Sequence, residues 1–114
     1  MTSKQYSACI AEALICTDRA AYISDLCLSS IWGDPDGADI PAGRDLVAGN
    51  IWDAVHRSFR GILADANISR AEFSRRFCVP LRTVENWLAE IREPPLYVRL
   101  AFQQLLGLLP VQID

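Results

Sequence analysis

Two short amphipathic patterns, each closed by proline, occupy residues 68–95, ISRAEFSRRFCVPLRTVENWLAEIREPP, and no other stretch constrains the fold as tightly. Ser69 is a preferred N-cap, and Glu72 three positions later completes an S-x-x-E capping box. In that box the serine oxygen accepts from the Glu72 amide and the glutamate reaches back to the Ser69 amide. Ile68 and Phe73 are spaced for a hydrophobic staple across the cap. Phe73 and Phe77, four residues apart, share one helical face and leave Arg70, Arg75 and Arg76 to point elsewhere. Pro80 stops this helix soon after Cys78, because the residue before a proline avoids helical backbone. The same proline suits the first turn of the next helix, where its fixed φ fits and its missing N–H is not needed. That second helix, 80–91, is expected to bury Val84, Trp87, Leu88 and Ile91 and to expose Arg82, Thr83, Glu85, Asn86 and Glu90. Pro94-Pro95 ends it.

A short helix, a tight connection and a second helix with polar residues outward read as a helix-turn-helix, a unit that sets its second helix in the major groove of DNA. The segment resembles the Cro/repressor-type (XRE-like) helix-turn-helix family of phage repressors, bacterial regulators and antitoxins. The resemblance is carried by Ser69, Ala71-Glu72-Phe73, Phe77, Val79, Thr83-Val84, Trp87 and the Arg92-Glu93-Pro94 exit, and it spans residues 55–109. It implies double-stranded DNA as partner, with Leu81, Arg82 and Asn86 at base edges and Thr83 and Arg70 on phosphates. Arginine pairs bidentately with guanine and asparagine with adenine. The chain departs from the family pattern at Cys78, where glycine usually supplies a positive φ. It also departs at Leu81, where a polar reader is common, and at Leu88, where an acidic residue often follows the tryptophan.

The distribution of charge agrees with that placement. Residues 1–54 carry three basic and eight acidic groups, a net −5, whereas residues 55–99 carry eight arginines and five acids, a net +3. Positive charge therefore gathers where a phosphate footprint is needed. At 114 residues and 51% hydrophobic, the chain suits a single all-α domain, a compact bundle of five to six helices. Within it, residues 1–32 form an N-terminal helical pair, 33–43 a loop and 50–109 the helix-turn-helix core. No apolar run is long enough to span a bilayer and no secretory leader is evident, so a cytoplasmic protein without membrane partners is expected.

Cys9, Cys16, Cys27 and Cys78 form no C-x-x-C pair, and His56 is the sole histidine. No metal site is expected, and the thiols read as small buried hydrophobes. No Ser/His/Asp set, phosphate loop or paired carboxylate site appears. The chain is read as not an enzyme, with no cofactor.

In the N-terminal part, Tyr6, Cys9, Ile10, Ala13 and Leu14 make one helical stripe, and Tyr22, Ile23, Leu26, Cys27 and Ile31 a second. Thr17-Asp18 between them offers a new N-cap, although a single bent helix satisfies the same pattern. Gly33-Asp34-Pro35-Asp36-Gly37, with Asp39-Ile40-Pro41 and Gly43, is a loop signal that lacks the spacing of a calcium loop. A short helical turn through 44–48 follows. Asn50, with Asp53 at the third position, then suits the cap of a helix of about sixteen residues through Val55, Phe59, Ile62, Leu63 and Ala66. Phe59 and Ile62/Leu63 should meet Phe73, Val84 and Trp87.

The last helix, in 96–110, has a stripe of Val98, Ala101, Phe102, Leu105 and Leu109, with Leu96, Leu100, Leu106 and Leu108 widening its apolar surface. A helix apolar on more than one side is central or sits at an interface. A homodimer is the attractive cover, since two-fold regulators bind two half-sites. The acidic N-terminal helices, unneeded by the minimal family domain, supply the alternative function: a protein-binding adaptor such as an antitoxin or phage-encoded inhibitor.

Overall fold

The computed structural model describes residues 1–33 and 42–114, so the loop signal at 34–41 lies outside the described residues. The described chain is all-α. Its helices are α1 (Ser3–Ile15), α2 (Arg19–Cys27), α3 (Arg44–His56), α4 (Phe59–Ala66), α5 (Arg70–Phe77), α6 (Leu81–Leu88) and α7 (Leu96–Leu105), with a 3₁₀ turn at Ser30–Trp32. Contacts group these residues into two compact units, Met1–His56 with Leu109–Asp114, and Arg57–Leu108.

The first unit packs α1 and α2 on α3. Thr2 caps α1 in a complete capping box with Gln5. Cys16 takes an extended backbone and Asp18 accepts from the Ala20 and Ala21 amides, so the stretch forms two helices and not one bent one. Cys9, Ala13, Tyr22, Leu26, Ala48, Ile51 and Ala54 are buried. Small residues at 13, 48 and 54 let helix backbones approach closely, and polar groups then lock the packing. The Tyr22 hydroxyl donates to the Cys9 carbonyl at 2.8 Å, and Trp52 Nε1 donates to the Cys16 carbonyl at 3.0 Å. His56 bonds the Ala13 carbonyl at 2.8 Å and lies against the Trp52 ring, a local packing role. The Asp114 amide donates to the Met1 carbonyl at 2.9 Å, which ties the two ends of the chain together.

The expected helix from Asn50 to Ala66 is corrected at its start and in its middle, and its end at Ala66 stands. Asn50 is interior to α3, which already starts at Arg44, and Asp53 accepts from Arg19 at 2.8 and 3.1 Å instead of serving a cap. Helix α3 stops at His56, and Ser58 starts α4 by accepting from the Gly61 amide at 3.1 Å. The sequence periodicity hides this break because Val55 and Phe59 are four apart, as they would be in one uninterrupted helix. Ser58 divides the helix and raises the number of α-helices among the described residues to seven.

The second unit is built on an aromatic core. Phe59, Ile62, Leu63, Phe73 and Val84 are buried together, with Ile68, Phe77, Trp87 and Phe102 packed against them. Phe59 meets Phe73 edge-on at 5.1 Å and Trp87 edge-on at 5.0 Å; Phe102 meets Phe73 at 4.8 Å. The expected contacts among α4, α5 and α6 are therefore present. Edge-to-face pairs of this kind add about 0.5–1.5 kcal/mol beyond the area they bury.

Several side chains expected inside are outside. Leu14 and Leu105 are exposed, and Ile91 is 71% exposed because α6 ends at Leu88 and Glu90 turns the chain away at φ 61°. In α7 the buried positions are Leu100 and Gln103, so the helix is rotated relative to the expected stripe. The cause is polar. Arg57 donates from Nη1 to Gln103 Oε1 at 2.6 Å and pairs through Nε with Asp65 at 2.9 Å, while Arg99 Nη1 donates to the Arg57 carbonyl at 2.9 Å. This cluster draws Gln103 and Arg99 inward and leaves Tyr97, Ala101 and Leu105 facing out.

Candidate nucleic-acid interface

The candidate site is α5, the Cys78–Pro80 turn and α6. Ser69 Oγ accepts from the Glu72 amide at 3.1 Å, which is the first half of the expected capping box. The reciprocal half is replaced: the Glu72 carboxylate takes Arg75 Nη2 at 3.0 Å. Arg75 competes for that oxygen one helical turn away, and an ion pair draws the carboxylate away from its own backbone amide.

The turn keeps the geometry that glycine would favour. Cys78 sits at φ 54°, ψ 37°, in the left-handed region. Its Cβ makes that conformation cost roughly 1–2 kcal/mol relative to glycine. Ser74 offsets part of this strain. Its hydroxyl donates to the Val79 carbonyl at 2.7 Å, and the Val79 amide returns to the Ser74 carbonyl at 3.2 Å. The turn is thus clasped from the last full turn of α5. Reading along the sequence missed Ser74. The only trace it leaves there is a small hydroxyl residue five positions before a turn carbonyl. Of the four thiols expected to be buried only Cys9 is; Cys16 and Cys27 are half-buried and Cys78 is exposed. Pro80 is the N-cap of α6, not its first residue, and its carbonyl accepts from the Thr83 and Val84 amides.

Val84 anchors α6 in the core at no measurable exposure. At 100° per residue, Arg82 and Asn86 lie close to the direction opposite Val84, stacked one turn apart. Arg82 is exposed and Asn86 half-buried, and no described ion pair occupies the Arg82 guanidinium. Leu81, 43% exposed, stands at the first turn beside Arg82, with Thr83 half-buried on the other flank. Arg70 opens α5 on an exposed position. The five residues expected at the interface are therefore all at least partly accessible, and Arg82 and Asn86 share one face of α6.

The arginine footprint is smaller than the sequence count suggests. Arg57 and Arg99 belong to the Gln103 cluster, and Arg60 donates to the Leu88 carbonyl at 2.7 Å, where it closes the C-terminal end of α6. Arg70, Arg76, Arg82 and Arg92 remain exposed, together with Arg75, which is already engaged by Glu72. Three of eight arginines thus serve the fold. Among the described residues no cluster of three or more His, Cys, Asp or Glu could hold a metal ion, and no helix is long and apolar enough to cross a membrane.

No family model, curated protein or solved structure matches the chain.

Proposed function

We propose that the chain is a small helix-turn-helix DNA-binding protein of the Cro/repressor type, a cytoplasmic transcriptional regulator that lays α6 in the major groove. The observation that carries this reading is the outward Arg82/Asn86 pair on a helix whose opposite face is anchored by Val84. Arg82 offers a two-toothed donor for guanine O6 and N7, and Asn86 matches adenine N6 and N7. Leu81 beside them suits a thymine methyl group. Arg70 and Thr83 fix the register on phosphates, with Arg75, Arg76 and Arg92 adding charge. Tyr97, Ala101 and Leu105, exposed in line on α7, supply an apolar strip through which a second copy would pair and span two half-sites about 34 Å apart.

The test is a gel shift with the DNA upstream of the protein's own gene, run at two salt concentrations. Specific binding that falls steeply with salt is expected, and Arg70→Ala should reduce the logarithmic slope by about one. Arg82→Ala with Asn86→Ala should abolish sequence preference while leaving the helical spectrum unchanged. Unchanged binding by that double variant rejects the reading.

A second reading, a protein-binding adaptor acting through the N-terminal unit, is favoured by one observation: an open groove on that unit, about 660 Å³ in volume, which no described side chain fills.

A further inference from the structure

The groove runs between the C-terminal half of α1 and α2 with the following 3₁₀ turn. Ile15, Tyr22, Leu26 and Ile31 supply its apolar lining, and Glu12 and Asp25 stand among them. Both carboxylates are exposed, and among the described residues neither has a cationic partner. The apolar lining is open to solvent at Ile15, which is 78% exposed. Apolar surface gathered along a groove and rimmed by charged side chains marks an interaction site.

From this we infer that the groove binds a helical segment of another protein, with aliphatic anchors flanked by lysine or arginine. The volume lies in the range of ligand sites, but Ile15 in its lining is still 78% exposed, so the groove opens too widely to enclose a small molecule. A helix crossing the groove covers Ile15 and fills the groove with side chains at i, i+3 or i+4, and i+7. The sign of the flanking charge follows from Glu12 and Asp25. It follows also from the net −6 of residues 1–56 with 109–114, which carry three basic groups against nine acidic ones. A second copy joined through the same groove by a two-fold axis would bring Glu12 and Asp25 against their own counterparts, an arrangement that repels. Behind the lining, burial first and then the Glu12 charge hold the Cys9 thiol above its ordinary pKa, as expected where negative potential meets an apolar wall. This inference is independent of α6 and DNA.

The full chain is titrated into a short fluorescein-labelled peptide with leucines at i, i+3, i+4 and i+7 and flanking lysines, and anisotropy is followed. Two further peptides carry glutamate in place of lysine, or the same lysines and leucines in scrambled order. The lysine helix is expected to bind, and each control to bind at least about tenfold more weakly. Glu12→Lys with Asp25→Lys, and separately Ile15→Ala, should each weaken binding by about tenfold. All three positions are exposed, so circular dichroism should match the parent, and Ile15→Ala decides the matter should the charge-reversed variant fail to fold. Arg82→Ala with Asn86→Ala should leave peptide binding intact. Equal binding by the scrambled or acidic peptide, no binding at all, or indifference to both sets of variants overturns the inference. Self-association of the chain that requires Glu12 and Asp25 also overturns it, by assigning the groove to a second copy.

Discussion

Ser74 and Val79 hold each other by both backbone and side chain: the serine hydroxyl donates to the Val79 carbonyl at 2.7 Å, and the Val79 amide donates back to the Ser74 carbonyl at 3.2 Å. Between them Cys78 is pinned at φ 54°. Cys78→Gly is therefore expected to raise stability by about 0.5–1 kcal/mol, the relief of left-handed strain less the entropy glycine adds to the unfolded chain. Ser74→Ala should lower it by about 1 kcal/mol. Urea denaturation of the three proteins checks both signs.

The aromatic core makes a graded prediction. Phe73 is fully buried and touches Phe59, Phe77 and Phe102, so Phe73→Ala should cost about 3–5 kcal/mol. Trp87, although in edge contact with Phe59, is only half-buried. Trp87→Ala should then cost about 2–3 kcal/mol, below the range for a buried ring. A cost for Trp87 that exceeds that for Phe73 would contradict this packing.

Arg57 uses two different nitrogens, Nε on Asp65 and Nη1 on Gln103. A lysine ammonium on a flexible stem cannot span both acceptors in that fork. Arg57→Lys, which preserves charge, should still destabilise by about 1–3 kcal/mol, because one of the two Arg57 bonds is lost. Thermal melts of Arg57→Lys and Gln103→Leu, alone and combined, should show losses that do not add.

The Tyr22 hydroxyl is raised above the ordinary tyrosine range, by burial first and then by the Cys9 and Glu12 charges. With the folded value higher than the unfolded one, the native state holds the proton more tightly between the two. Stability from this group is fully present below the unfolded value of about 10 and is lost as pH rises from there through the folded value. Melting temperature should drop more steeply above that pH for the parent than for Tyr22→Phe. At neutral pH the variant should lose about 1–2 kcal/mol with its bond to the Cys9 carbonyl.

Much of the local structure was legible because it depends on near neighbours in sequence. Ser69 at the α5 cap, Pro80 before α6, and the four-residue spacing of Phe73 and Phe77 each act within one turn. The all-α class, the two-helix unit and its core partners follow from them. Legibility failed where a competing local signal was equally good. Asn50 and Ser58 are both sound caps, and the apolar spacing from Val55 to Phe59 continues unbroken, so nothing nearby in sequence marks Ser58 as the start of α4.

The candidate interface divides in the same manner. Arg82 and Asn86, four apart and opposite Val84, are placed by helical periodicity alone. Which arginines stay available was a tertiary decision: Arg57 and Arg99 go to the Gln103 cluster and Arg60 to the Leu88 carbonyl, partners 28 to 46 residues away. The sequence by itself determined where α5 and α6 start, which face of α6 is polar and where positive charge gathers, since these are properties of neighbouring residues and of composition. Only the tertiary structure decided the rotation of α7 and the open groove beside Glu12 and Asp25. Each depends on distant polar groups finding partners or on how packed helices fill the space between them, and neither is encoded in the spacing of any one segment.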